Sequence, residues 1–434
     1  MPGFLIAVFG MLLALLVGGM WVATAAASVG IFILWSKIGF NPMIQSVSWA
    51  VWNSASTFTL STIPLFIFMG FMLMESGLAE RVYSGIEATV NRVPGGLLHT
   101  NIIVGGLFAA TSGSTIAATA TLGTISLPEM EKRGYPQGIS LGSVAAGAFL
   151  APVIPPSNMM IFYCMLVELS IGRQFMAGVF PGFILAGLFM LYIALRFSLL
   201  RQKEEVKREI LPWRQSLARL KDVWLIVILI VIVLGSIYMG LATPTEAAAL
   251  GSAGAVGLAA LHRRLNWQAL KKCAIGTLRV TGQVMFIFVG VKVMSNALSL
   301  AGVVDFVTKA LVALPVPPIV ILLMIFALFL ILGCFLESIP MMLMVVPLIY
   351  PAVMSLGYDP YWFGVLVTLA ATAGNITPPV GVTLFALQAV RPDIPVTRIY
   401  RGVIPFLSVI VVGLAIVTVF PQLATWLPST MIGK

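Results

Sequence analysis

The sequence predicts an all-α polytopic membrane protein built as two inverted repeats, each holding a re-entrant helical hairpin and a Pro-broken helix. Three observations carry this prediction. First, 60% of the 434 residues are hydrophobic and 9% are charged, with a mean hydropathy of +1.06. A soluble surface could not be covered from so few polar groups, and apolar runs long enough to cross about 30 Å of hydrocarbon recur from end to end. Second, the chain repeats itself. FIFMGFMLMESGLA (66–79) returns as FIFVGVKVMSNALS (286–299), 220 residues later. Pro128, Gly134, Tyr135, Pro155, Pro156 and Pro181 recur as Pro351, Gly357, Tyr358, Pro378, Pro379 and Pro405, at offsets of 223 or 224. Third, a Pro-Pro pair interrupts each half at the matched place, an arrangement that puts a binding site between broken helices near the membrane midplane.

Composition also excludes function classes. The net charge of +10 would suggest nucleic acid in a soluble protein, but here the basic residues lie in short loops, where they report orientation. Cys164, Cys273 and Cys334 lack CxxC spacing, and His99 and His262 are the only histidines. Disulfide frameworks, zinc sites and haem ligation are therefore unsupported. The N-terminal apolar stretch has no basic n-region, so it reads as a first transmembrane helix rather than a signal peptide.

The expected order in each half is two helices, a third carrying the FIF segment, a hairpin, a Pro-broken helix and a closing helix. Residues 1–198 form the first repeat, with its hairpin near 95–128 and its broken helix near 138–168. Residues 223–434 form the second, with a hairpin near 319–350 and a broken helix near 361–390. Between them, 199–222 reads as an amphipathic connector on the inner membrane surface or as a solvated linker. With both termini outside, the segments 77–94, 129–136, 196–222, 262–279 and 391–401 face the cytoplasm. They hold 20 of the 25 Lys and Arg residues, as the positive-inside rule requires.

The stretch from Pro94 to Pro128 is too short for two crossings of about 20 residues and a turn. It reads as a hairpin that enters and leaves on one face, tipped at Ser112, Gly113, Ser114 and Thr115; a single long tilted helix is the alternative. Its twin is tipped near Glu337, Ser338, Ile339 and Pro340. In GAFLAPVIPPSNMMIFY (147–163) and TAGNITPPVGVTLFA (372–386), prolines remove backbone donors and break the helix. Each break exposes carbonyls that suit a cation and amides that suit a carboxylate. Ser157, Asn158, Asn375, Thr377 and Thr383 supply neutral oxygens beside these ends; a Pro kink satisfied by nearby hydroxyls is the structural alternative. Glu337 is an intramembrane carboxylate, hence a candidate cation or proton site, or else a cap for its hairpin arm. Lys292 either snorkels outward, faces a partner subunit or touches substrate. GLATPTEAAALG (240–251) is a helix start, with Thr243 as cap, Pro244 in the first turn and Glu246 closing a capping box.

STIPLFIFMG (61–70), GGLLHTNIIVGGLFAATSGS (95–114), VIPPS (153–157), GLATPTEAAALG and NITPPVG (375–381), in this order, resemble the large membrane subunit of the tripartite ATP-independent periplasmic (TRAP) transporters, within the ion-transporter superfamily of elevator carriers. The likeness covers nearly the whole chain. It implies an inner-membrane carrier, not an enzyme, driven by a sodium gradient with two or more sodium ions per cycle. It implies three partners: a soluble periplasmic substrate-binding protein, a small four-helix membrane subunit separate from this chain, and a small organic acid as substrate. By match to the family pattern, sodium is expected at Ser112, Gly113, Ser114 and the backbone at Ala151, and at Glu337, Ser338, Gly374, Asn375 and Thr377. Substrate is expected at Ser114, Thr115, Ser157, Asn158 and Thr383. Many relatives carry an aspartate where this chain has Ala118, which removes a partner for substrate hydroxyls.

Two other readings compete. A stand-alone sodium/dicarboxylate symporter or antiporter of the same superfamily would need no binding protein. An intramembrane enzyme using Ser112 or Ser114 as nucleophile would need a positioned base, and with two histidines in the whole chain none is evident.

Overall fold

A computed structural model describes residues 2–112, 114–199 and 212–431. The described residues are helical, joined by short turns. The first half contains α1 (Pro2–Val17), α2 (Val22–Ile38), α3 (Phe40–Ser56), α4 (Thr62–Glu75), α5 (Leu78–Val90), α6 (Leu97–Ser112), α7 (Thr115–Lys132), α8 (Gln137–Phe149), α9 (Asn158–Val167) and α10 (Ile171–Leu199). The second contains α11 (Trp213–Arg219), α12 (Lys221–Tyr238), α13 (Pro244–Leu261), α14 (Trp267–Leu300), α15 (Val303–Val312), α16 (Pro318–Gly333), α17 (Ser338–Ser355), α18 (Pro360–Asn375), α19 (Val382–Val390), α20 (Val396–Val419) and α21 (Gln422–Ser429). Six helical stretches among these are long and apolar enough to cross a membrane.

Local chemistry explains the punctuation. The capping box forms at α13: Thr243 N–H donates to Glu246 Oε2 at 2.8 Å, and Glu246 N–H donates to Thr243 Oγ1 at 3.3 Å. Gly134 and Gly357 carry φ of 78° and 80°, ending the hairpins by the left-handed turn that glycine adopts without a Cβ penalty. The Pro155–Pro156 and Pro378–Pro379 peptides are both cis.

Two expectations are corrected. The returning hairpin arms do not stop at Pro128 or near 350: α7 runs on to Lys132 and α17 to Ser355, with Pro128, Pro347 and Pro351 inside the helices. A proline inside a helix removes one backbone bond while the turns on either side keep theirs, and α7 closes on an ion pair, Arg133 with Glu129 at 2.9 Å. The FIF match is also out of register. Gly77 (φ 68°) turns α4 into the short amphipathic α5, and Gly302 (φ 72°) turns α14 into the short amphipathic α15. These equivalent turns lie 225 residues apart, five beyond the FIF offset. The third helix also differs between halves. In the second it is one 34-residue helix, α14; in the first it is α3, a 3-10 turn at Phe58–Ser61, and α4. Side chains in the run Asn53–Thr62 compete for backbone carbonyls: Ser54 Oγ bonds Ala50 O at 2.7 Å, Thr57 Oγ1 bonds Asn53 O at 2.6 Å and Ser61 Oγ bonds Phe58 O at 2.6 Å. Hydroxyls that offer the backbone such alternatives favour helix ends.

The repeats are inverted, and contacts at the two ends prove it. At the base of the first hairpin, where α8 begins, Glu131 pairs with Arg391 (2.9 Å) and Gln137 Oε1 accepts from Arg398 Nη1 (2.8 Å), just beyond the end of α19. At the base of the second hairpin, where α18 begins, the Pro360 and Tyr361 carbonyls accept from Tyr163 Oη (2.7 Å) and Gln174 Nε2 (3.2 Å), near the end of α9. Each broken helix therefore starts at one hairpin's base and finishes at the other's. The basic segments gather at the first of these ends: Arg133 pairs with Glu87 at 2.6 Å, Arg81 with Asp222 at 3.7 Å, His262 with Asp222 at 3.1 Å, and Ser216 Oγ donates to Ala88 O at 2.9 Å. Of the expected connector, 200–211 lie outside the described residues.

Packing divides the helices into two groups. α2 lies along α14 and α4 along α13, so each pair takes one helix from each half. Small residues allow close approach there, and hydrogen bonds cross, Thr62 to Thr245 at 2.7 Å and Ser252 Oγ to Leu65 O at 2.7 Å. The hairpins and broken helices form the other group. The closing helices join it: α20 packs on α8 and α10 on α18. The core is continuous across both groups.

Candidate functional site

Each hairpin tip rests on the break of its own half, by different chemistry. At the first, Ala118 of α7 packs on Ala148 and Ala151, so the contact is made of methyl groups. Ser114 is the N-cap of α7 and accepts a long hydrogen bond, 3.4 Å, from Ala117 N–H. Thr115 follows it, buried. Of the expected cation ligands here, Gly113 lies outside the described residues, and Ser112 is described only as the last backbone position of α6. Ala151 sits in the break, its N–H bonded to Ala148 O at 3.1 Å.

The first break is closed on itself. Ser157 Oγ donates to Pro152 O at 2.5 Å and accepts from Met160 N–H at 3.3 Å. Wholly buried and fully used, Ser157 is a helix cap that shapes the break rather than a free ligand. Asn158 opens α9 beside it, buried.

The second break is bonded to its hairpin. Gly381 N–H donates to Cys334 O at 2.9 Å. Asn375, completely buried at the end of α18, bridges to the tip: its amide nitrogen donates to Leu336 O at 2.9 Å, and its oxygen accepts from Ser338 N–H at 3.2 Å and Ser338 Oγ at 2.7 Å. Gly374 lets the elements meet, since a Cβ there would lie 2.6 Å from Gly333 Cα. Thr377 Oγ1 donates to Ala373 O at 2.7 Å. Leu336 O, Ser338 Oγ and the Asn375 amide thus form a compact, neutral cluster of oxygen-rich groups, the chemistry a hard monovalent cation accepts.

Glu337 sits between these residues as the N-cap of α17, but its side chain makes no capping bond. The capping alternative therefore fails for it. Thr383, in the first turn of α19, is fully buried with an Oγ1 that has no hydrogen-bond partner. A buried unpaired hydroxyl beside a helix break is the kind of polar atom a ligand completes.

Sequence reasoning missed a third feature. A polar crevice of about 680 Å³ opens between α3, α14 and the end of α9, lined by Asn53, Thr57, Glu168, Lys292 and Asn296 among others. It lies at the end opposite the basic segments. Lys292, half-buried, lines this open crevice. Glu168 beside it holds a left-handed φ of 58°, capping α9. The signal was available: a run of Asn, Ser and Thr at 53–62, in the middle of what should have been a membrane helix. Among the described residues, no group of three or more His, Cys, Asp or Glu side chains could hold a metal.

Comparison with known proteins follows the same line. Residues 9–423 match the family described as the tripartite ATP-independent periplasmic transporter, DctM component. A sialic acid TRAP transporter large permease protein of Vibrio cholerae is 31% identical over 98% of both chains. A C4-dicarboxylate TRAP transporter large permease protein of Pseudomonas aeruginosa is 31% identical over 90% of this chain and 91% of its own. The YdaH transporter of Alcanivorax borkumensis shares the fold, with a TM-score of 0.64 over 89% of this chain and 88% of its own, at 15% identity.

Proposed function

The chain belongs to the DctM family of TRAP transporter large permeases, and from that premise we propose that it carries a small organic acid into the cell, driven by a sodium gradient, in an elevator-type cycle. A periplasmic binding protein delivers the acid, and a small four-helix membrane subunit holds the static helices. The observation that carries this reading is the second hairpin tip, whose neutral polar groups, Leu336 O, Ser338 and Asn375, converge on a helix break. Sodium bound there would draw the tip onto the break, and its mate at Ser114 and Ala151 would do the same in the first half. The acid would lie between the tips, its carboxylate held by helix N-termini and by donors such as Thr383. The crevice at Lys292 is the outer mouth, where a cation receives the arriving anion.

In this reading the basic end faces the cytoplasm and both termini face the periplasm, in the inner membrane. A cysteine at Gln215 is then labelled only from inside, and one at Gln45 only from outside. The hairpins, broken helices and closing helices move as one body past a scaffold of α2, α4, α13 and α14. Phe162 of α9 and Phe288 of α14 sit across that boundary with ring centroids 6.2 Å apart. Linking cysteines at these two positions should abolish sodium-driven uptake in vesicles holding the small subunit and the binding protein, whereas linking F189C to F406C, within the moving body where the two rings lie 6.1 Å apart, should not. Full turnover with the first link overturns the elevator. Uptake without the binding protein replaces the tripartite reading with a stand-alone symporter.

A further inference from the structure

At the basic end, α8, α10 and α20 enclose a pocket of about 220 Å³ lined by Tyr192, Arg196, Arg398 and Arg401 together with Gly138 and Gly402. At about 30 Å³ per water this holds roughly seven waters. Its walls carry three guanidinium groups and no carboxylate. The acids nearby are already taken: Glu131 and Asp393 pair with Arg391 at 2.9 and 2.6 Å, and Glu129 and Glu87 pair with Arg133. Arg196 donates through Nη1 to Tyr192 Oη at 2.8 Å, while its buried Nε has no partner. Arg398 spends one nitrogen on Gln137 Oε1. Arg401 is exposed.

The backbone adds to this. α8 and α20 both begin at the pocket, behind Pro136 and Pro395, and neither has a side-chain cap. Amides of a first helical turn without a cap carry positive partial charge and need an acceptor. The two helices come close because Gly402 meets Gly138 with no Cβ between them. Two helix N-termini and three arginines therefore converge on one pocket whose positive charge nothing in the described chain balances.

We propose that this pocket binds a phosphate-bearing anion, the headgroup of an anionic lipid of the adjoining leaflet or a free phosphate. Arginines suit it because the guanidinium fork matches phosphate oxygens in pairs, and basic pockets between membrane helices at the inner surface take anionic headgroups. The Arg196 Nε gains the acceptor it lacks. The site does not depend on the transport reading, since binding is measured without turnover.

The test uses the purified full-length chain in a neutral detergent, titrated with short-chain phosphatidylglycerol, short-chain phosphatidylcholine and inorganic phosphate. Phosphatidylglycerol should bind and phosphatidylcholine should not. The triple variant R196Q/R398Q/R401Q should weaken phosphatidylglycerol binding at least about tenfold, and R401Q alone, at an exposed position that folding does not need, about fivefold. The control R263Q/R264Q, on the same end but away from the pocket, should stay within about twofold. Displacement by inorganic phosphate supports the site with a soluble source, and lack of displacement supports it with a lipid source. Equal binding of the two lipids, or equal losses in the control and R401Q, overturns the proposal.

Discussion

The two helix breaks share a sequence pattern and a pair of cis prolines, yet they are held by opposite means. The first is sealed by its own residues, Ser157 reaching back to Pro152, and its Ala148 and Ala151 meet Ala118 of the hairpin through methyl groups. The second also has Thr377 reaching back to Ala373, but in addition is stitched to its hairpin through Asn375, Ser338, Leu336, Gly381 and Cys334. A self-sealed break keeps its shape whatever the tip does, whereas a stitched break and its tip stand or fall together. The difference teaches that the second hairpin is the one whose position polar chemistry can control.

Removing the stitch is the sharpest way to break this comparison. N375A leaves the Ser338 N–H and the Leu336 carbonyl buried without a partner, at about 1–3 kcal/mol per group, so uptake should fall by about tenfold or more and the sodium concentration for half-maximal uptake should rise. Uptake with an unaltered sodium dependence would remove Asn375 from any role in ion coupling. Next in size is G374A, whose added methyl must push against Gly333; overpacking of this kind costs about 1–3 kcal/mol. Thermal melting of the purified protein should show the loss, and the matching change G333A should mimic it.

A smaller effect is expected outside the breaks. K292Q should raise the substrate concentration for half-maximal uptake by about tenfold, the worth of one hydrogen bond to a charged group, and leave sodium dependence alone. If maximal rate falls instead and the half-saturating concentration holds, Lys292 supports structure rather than receiving substrate. The least effect falls on the self-sealed break. S157A should lower stability by about 1 kcal/mol, as loss of an N-cap does, with sodium dependence as in the parent. Should S157A shift sodium dependence as far as N375A, the two breaks are equivalent and the contrast drawn between them fails.

The halves diverge a second time at their third helices, and this again traces to hydroxyls. The run Asn53 to Thr62 diverts backbone carbonyls to side chains and ends α3, whereas α14 runs uninterrupted past Lys292. The interruption opens the crevice that Lys292 lines. Neither residue set announces the crevice alone, because the cleft exists only where α3, α14 and the end of α9 meet.

How much could be read beforehand follows from the range of each interaction. Hydropathy, the positions of Pro155, Pro156, Pro378 and Pro379, and the Thr243 capping box act through the backbone within a few residues. The sequence alone therefore determined a helical membrane protein, its two repeats, its two breaks and its family. Where a helix ends despite a proline is not fixed by that residue: α7 passes Pro128 and stops at Lys132, where Gly134 turns the chain. The FIF segments lie five residues out of register with the turns at Gly77 and Gly302, because apolar residues recur many times along a membrane helix whereas such a turn is defined by backbone conformation.

Only the tertiary structure decided where each candidate oxygen is spent. Ser157 and Asn375 look alike in sequence, each a small polar residue beside a Pro-Pro. Packing closes the first onto its own turn and aims the second at a hairpin more than 35 residues away in the chain. It also carried α10 and α20 to the broken helices of the opposite half and brought Arg196 and Arg398 to one pocket. Charge balance and hydrogen-bond satisfaction are properties of neighbours in space, and this chain draws those neighbours from both of its halves.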